Sequence, residues 1–473
     1  MSGPSTYEQV DATAAAASLQ EVRSHASGRP ASRREAMRRL SNALDHMLRA
    51  TGDPIRDLEG IDAGQPGHLR ASVIRAAVGV LAKVPDTLPA ISRAIRAADQ
   101  PSLPSRLRAH MEAARLWVQG DALAAAQRYA DIARQRPRDL LALRLALSCY
   151  FFVGESERSC ALADEIVGAW RTDAHGFGFV LAMASFAHAE CGHAARAEEL
   201  GRSALARDPS CPMGVHAVAH ALAHAGQPGR GAQWMRAQRA HWSVRSRMRT
   251  HNAWHLAMFD ADDGNLVSAL AIVDTCLLPA AHSSPVDACD ASTLLWRLAD
   301  RGMNVGDRWL ALSDAFQRQW SGGFWPYVDL HAAITHLRAG QGARIDRLLR
   351  EVERYASANH PAALRARSIT LPFLRPISIW GSGDLHTAVA ALRDLRPSVA
   401  AAGGSKLQLE ILTTLAGDAA SGRGAAWPGA PRRMQGGGHT DPECGGADAR
   451  LAQAWRRTLP LLASTDILDS TSP

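Results

Sequence analysis

A glycine recurs through the middle of the chain, at Gly120, Gly154, Gly192, Gly226, Gly264, Gly302 and Gly340, at intervals of 34, 38, 34, 38, 38 and 38 residues. A period of this length marks a chain built by stacking one supersecondary unit, and it constrains the fold more than any local propensity does. The residues around each glycine suit a pair of helices. Ala113 lies midway through the first helix of the first unit, Gly120-Asp121 forms the turn, Ala125 and Tyr129 lie on the second helix, and Pro137 closes it. Gly192, Ala197 and Pro209 fall at the same offsets, with Ala204 on the second helix. Small residues let paired helices approach, glycine permits the tight turn, and proline stops the second helix before the next unit. Composition agrees, since 47% hydrophobic residues with only 5% aromatic ones, and abundant alanine, favour helix over strand. The expectation is an all-α chain folded as a right-handed α-solenoid of seven or eight hairpins, the eighth centred on Gly383.

The flanks divide by composition. Residues 1–35 form an Ala/Ser/Arg-rich lead-in with one helical stretch over 7–22, and 36–105 form a helical cap. Within the cap region a helix over 33–51 should stop at Gly52, and helices over 69–84 and 88–98 should pair across Pro85. The solenoid takes 106–418, and 419–473 is a Gly/Pro-rich tail with room for one last helix over 449–459.

A net charge of +7 and a pI near 9.3 invite a nucleic-acid reading. Lys83 and Lys406 are the only lysines, however, and the arginines are interspersed with Asp and Glu along the chain. Phosphate binding needs a concentrated basic stripe, so no nucleic-acid partner is expected. Seven cysteines, at 149, 160, 191, 211, 276, 289 and 444, make no Cys-x-x-Cys pair and read as reduced thiols. No apolar run approaches the ~18 residues of a membrane span, and the N-terminus lacks the basic start and apolar core of a signal peptide. The expected compartment is the cytoplasm, without membrane contact.

Chemistry concentrates in two motifs, Gly-Val-His216-Ala-Val-Ala-His220 and His251-Asn252-Ala-Trp254-His255. Each holds two histidines four apart, which stacks them on one helical face. With the turn glycine as repeat position 15, His216, His220 and His224 take positions 5, 9 and 13 of their first helix, and His251 and Trp254 take positions 2 and 5 of the next. That stripe of a first helix lines the concave side of such a solenoid. Adjacent helices carrying His-x-x-x-His are able to supply zinc or another borderline divalent ion, with Asp290, Asp329 or His331 completing the set. The same histidines, oriented by Asp290 or Asp329, suit acid-base catalysis, and a buried hydrogen-bond network is the third reading. No Glu follows the first histidine, so this is not a His-Glu-x-x-His protease site, and neither a phosphate-binding loop nor a Gly-x-Ser-x-Gly elbow occurs.

Together with Asp290-Ala-Ser-Thr-Leu-Leu-Trp296-Arg297-Leu298, Gly306-Asp-Arg308-Trp309, Asp329-Leu-His331 and Gly403-Gly404-Ser405, these motifs resemble the tetratricopeptide repeat protein 38 family over roughly residues 100–418. The resemblance implies an all-helical repeat fold with an unusually polar set of signature residues, in a family without an assigned activity. The chain departs from the family pattern at Pro209-Ser-Cys-Pro, at Ala223-His224 and at Lys406. Two functions follow as expectations. One is a binding protein whose concave groove, lined by His216, His220, His251, Trp254 and His255, holds a small ligand or peptide, with His224, Asn252, Trp296, Arg297 and His331 as further contacts. The other is an enzyme using the same His216, His220, His251 and His255 as bases or metal ligands, with Asp290 or Asp329 as the orienting or ligating carboxylate.

Overall fold

The computed structural model describes residues 32–243 and 246–421. The expected helices over 7–22 and 449–459 lie outside the described residues. Among those described, the only extended pairing is one isolated antiparallel bridge, Thr51 to Ser246, and the fold is an all-α solenoid. Eight hairpins stack in order, from Ser105–Val118 with Ala122–Gln135 to the pair that turns at Gly383. All seven periodic glycines, and Gly383, have positive φ, which is why a residue without a Cβ sits at every hairpin turn. Beyond the turns, aspartates cap the next helix: Asp121 accepts from the Ala124 amide at 2.9 Å, and Asp139 and Asp384 do the same for Ala142 and Thr387.

The two helices of a hairpin bury different amounts of surface, and this fixes where the core lies. Gly342–Ala356, a second helix, buries only Ile345, Leu348, Val352 and Ala356, one stripe at helical spacing. First helices such as Leu140–Val153, Pro212–His224, Pro285–Asp300 and Pro326–Arg338 are buried nearly all round. They pack side by side as an inner row with second helices on one side of them. A helix buried on every face needs a second neighbour.

That neighbour is the last described stretch of the chain. The 3₁₀ segment Arg396–Ala402 and the helix Lys406–Ser421 run across the inner row. The Gly404 amide donates to the Phe151 carbonyl at 3.2 Å, and the Lys406 amide donates to Glu190 Oε2 at 3.0 Å. Gln408 Nε2 donates to Asp290 Oδ1 at 2.6 Å. The inner face is therefore covered by the protein itself, where the repeat register alone implies an open groove. The reason is that Gly403-Gly404 allows the backbone to turn sharply against Phe152 and lay an apolar helix over the row.

Hairpins distant in sequence also meet. Trp325, at the start of Pro326–Arg338, donates its indole N–H to the Lys83 carbonyl at 2.7 Å. Its ring packs on Trp117 and Phe152, with centroids 5.4 and 5.6 Å away. The seventh hairpin is thus clasped to the cap and to the first two. In that cap, Arg33–Arg49 ends at Ala50, whose φ of 52° is left-handed, two residues before the Gly52 stop expected from sequence. His68–Ala82 and Leu88–Ala98 pair as expected.

Candidate metal centre

Pro212 at the first position fixes the start of Pro212–His224, and the i, i+4 spacing then places His216 above His220 on one face. Arg249–Asp262 is the first helix of the next hairpin and turns His251 and His255 toward them. The four imidazoles form one cluster, with donor nitrogens all within 4.8 Å of one another. His216 Nε2 lies 3.0 Å from His220 Nε2 and 3.0 Å from His251 Nε2. His216, His220 and His255 are 4%, 0% and 1% exposed. A tetrahedral ion with nitrogen bonds of about 2.0–2.1 Å separates its ligands by about 3.3 Å, so these nitrogens already stand at nearly the required distance.

Two buried carboxylates stand behind the rings. His251 Nδ1 donates to Asp290 Oδ2 at 2.7 Å. His220 Nδ1 is 2.8 Å from Glu190 Oε1, at ion-pair distance but bent away from good hydrogen-bond geometry. Each carboxylate favours a proton on the near nitrogen and leaves a lone pair on Nε2, the arrangement typical of metal-bound histidine. Counting protons then exposes a conflict. His216 Nε2 has at most one proton to give, yet it faces two lone pairs, so one close N···N contact is repulsive unless a cation is shared. His216 Nδ1 and His255 Nε2 are buried without partners as well. Such orphaned groups typically cost about 1–3 kcal/mol each.

Charge states fit ligation. Burial, reinforced by the neighbouring cationic side chains, holds His216 and His255 well below the ordinary histidine range. Burial also lowers His220 despite the opposing pull of Glu190. For His251 burial acts downward but is outweighed by Asp290, and the net direction is up. Glu190, which burial alone would raise, is held at about 2 by His220 and His224. Metal ligation requires neutral imidazole, and three of the four rings are biased that way.

The remaining expected residues divide. Asp290 joins the cluster, and Trp254 stacks on His251 at 5.1 Å with an interplanar angle of 18°. Asn252 is buried on the same helix. His224 Nε2 is 3.6 Å from Glu190 Oε1, a second contact to that carboxylate. His331 is turned to the chain's own backbone, with Nδ1 against the Tyr327 carbonyl at 2.7 Å and Nε2 against the Gln408 carbonyl at 3.1 Å. Arg297 pairs with Asp262 at 2.6 Å and with Glu410, while Trp296 lies under the Arg338 guanidinium at 5.6 Å. Asp329 is not brought to the histidines. It accepts from Trp320 Nε1 at 2.8 Å, from the Gly323 amide at 3.0 Å and from Thr370 Oγ1 at 3.4 Å, tying down the loop before its helix.

Glu190 and Gln408 belong to the site but carried no motif. Glu190 had one signal: with Gly192 as position 15 it occupies position 13, the register of His224 one repeat later. Beside the centre lies a cavity of about 200 Å³ walled by His255, Met258, Phe259, Asp262, Arg297 and Glu410. One wall is apolar and the other charged.

Asp329 supplies a pH test. Burial pushes its carboxyl up to about 7, against the lowering effect of Trp320, Gly323 and Thr370, from an ordinary value of 3.8. A carboxyl raised in the folded state contributes stability that is complete below pH ~4 and is lost as pH rises through ~7. Asn mimics the protonated acid, because one oxygen still accepts from Trp320 and Gly323 and the amide donates to Thr370. Asp329→Asn is expected to flatten the fall in stability between pH 4 and 7, a span worth on the order of 4 kcal/mol. Urea unfolding at several pH values measures it, and an unchanged slope would refute the assignment.

No family model matches the chain. Among solved structures, a Rap protein complexed with competence and sporulation factor is 13% identical, covers 74% of this chain and 99% of its own, and has a TM-score of 0.41. A tetratricopeptide repeat protein from Parabacteroides merdae is 13% identical over 66% of this chain and 98% of its own, with a TM-score of 0.30. A monomeric mutant of IFIT1 with Gppp-AAAA is 11% identical over 82% and 94%, with a TM-score of 0.38. No described helix is long and apolar enough to cross a membrane.

Proposed function

We propose that this chain is a metal-binding helical repeat protein in which His216, His220, His251 and His255 hold one divalent ion of the zinc class, and that the adjoining cavity admits a small molecule to it. The observation that carries this reading is the convergence of three Nε2 atoms at 3.0 Å, two of them on rings backed by buried carboxylates. Imidazole donors suit zinc, copper, iron or nickel and disfavour magnesium or calcium. Such an ion supplies Lewis acidity or an activated water. The protein's own contribution is to fix ring orientation through Asp290 and Glu190 and to keep bulk water out beneath Lys406–Ser421. In the cavity, Arg297 offers a fork for a carboxylate or phosphate, although Asp262 and Glu410 occupy it in the present arrangement.

An extended peptide fits less well, because the inner face it would occupy carries the chain's own helix Lys406–Ser421. The two histidine motifs support placement in the tetratricopeptide repeat protein 38 family, and the free cysteines suit a reducing cytoplasm. We set the limits of cap, solenoid and tail at residues 36, 106 and 419.

Elemental analysis of the purified full chain tests the reading. The wild type is expected to carry a metal equivalent that His216→Ala/His251→Ala loses while its circular dichroism is unchanged. If both proteins, supplied with zinc and dialysed, hold the same amount, the four histidines form a packed polar network and the proposal fails.

A further inference from the structure

One hairpin earlier, and separate from the histidine centre, a second group of soft donors gathers at a turn. Phe177–Glu190 ends in His188-Ala-Glu-Cys191-Gly192-His193, and Gly192 folds the chain back into Ala194–Arg207. The His193 amide donates to the His188 carbonyl at 2.9 Å, which brings the two side chains together. Cys160, from Ser156–Gly168 of the preceding hairpin, faces both. Its Sγ lies 3.4 Å from His188 Nδ1 and 3.8 Å from His193 Nδ1, and the two nitrogens are 3.2 Å apart.

Bonds of about 2.3 Å to sulfur and about 2.0–2.1 Å to nitrogen give a tetrahedral ion edges of about 3.6 Å between S and N and about 3.3 Å between N and N. The three observed distances are one face of that tetrahedron to within about 0.2 Å. The Cys191 thiol donates instead to the Ser156 carbonyl at 3.1 Å and stands outside this group, which leaves the fourth position open on the side of the exposed His193. Behind His188, Nε2 donates to Asp164 Oδ1 at 2.9 Å, which leaves the lone pair on Nδ1, the atom facing the sulfur. Cys160 and His188 are buried, whereas His193 is exposed and gives an ion a way in.

We propose that Cys160, His188 and His193 form a second metal site, a CysHis₂ centre for a zinc-class ion that fastens the second hairpin to the third, with water as the fourth ligand. The Cys160 thiol gives up its proton to solvent on binding, and the bound site carries one net positive charge.

Cobalt(II) titration of the metal-free full-length protein separates this site from the four-histidine centre, because only thiolate ligands give sulfur-to-cobalt charge-transfer absorption. The wild type is expected to develop that absorption, and His216→Ala/His251→Ala to retain it. Cys160→Ser should lose it together with one equivalent of cobalt, whereas Cys191→Ser should keep both. His193→Ala alters an exposed residue and is expected to fold, so it keeps the test decisive if the Cys160 variant does not. It should weaken cobalt binding at this site by at least about ten-fold, the lower end of what losing even an outer partner of a metal ligand costs. Absence of the charge-transfer band in folded, reduced wild type would overturn the proposal.

Discussion

Gly403→Ala is expected to destabilise the protein by about 4 kcal/mol or more and to lift the helix Lys406–Ser421 off the histidine cluster. Gly403 has a φ of 81°, and a Cβ there would stand 2.2 Å from the Phe152 carbonyl oxygen. The unfavourable backbone conformation alone costs about 1–3 kcal/mol. The clash adds more, and because it is with backbone no rotamer relieves it. The chain can escape only by moving the segment that carries Lys406 and Gln408, whose bonds to Glu190 and Asp290 are then lost. Hydrogen exchange over 406–415 should speed up, and His251 should become open to acylation by diethyl pyrocarbonate. Gly340→Ala is the control: its φ is 67° but nothing lies within 4 Å of the new methyl, so about 1–2 kcal/mol is expected and no exposure of His251. Equal effects of the two substitutions would show that the segment is not anchored at Gly403.

Asp290 should separate fold from function. Fully buried, it accepts from His251 Nδ1 through one oxygen and from Gln408 Nε2 through the other. Asp290→Ala leaves an imidazole N–H and a carboxamide buried without partners, and about 3–5 kcal/mol of stability should be lost. Asp290→Asn keeps shape and retains an acceptor for Gln408, but turns an N–H toward His251 Nδ1. The imidazole then carries its proton on Nε2 and has no lone pair for an ion. The asparagine variant should therefore keep nearly wild-type stability while zinc affinity falls about 10–100-fold, measured by competition with a chromophoric chelator. Undiminished affinity would mean that His251 is not a ligand.

The sequence disclosed the period, the turn positions and the histidine register, because each depends on residues within one or two repeats. His216 to His255 could be placed on one patch from spacing alone. The choice between Asp290 and Asp329 could not be made that way. Both sit near the start of inner helices, Asp290 in the second turn and Asp329 in the first, and Asp329 is claimed by Trp320 and Gly323, a loop contact with no periodic trace. The covering of the inner face was hidden for a similar reason. Lys406 meets Glu190 from 216 residues away, beyond the last clear repeat, and Gly403-Gly404-Ser405 reads locally as an ordinary loop. The cysteine site escaped notice because its donors belong to a turn and to the previous hairpin, so that no fixed Cys-x-x-Cys spacing announces it.

Open repeat arrays gain and lose units readily in evolution, since each unit touches only its neighbours. Here Trp325 reaches back to Lys83, and Gly404, Lys406 and Gln408 reach Phe151, Glu190 and Asp290 on three different hairpins. Inserting or deleting a single repeat would change the rise and rotation between those points and break every one of these contacts together. The number of hairpins is therefore a locked quantity in this protein, as strand number is in a closed barrel, and its descendants should diversify by substitution and loop insertion with the count held constant.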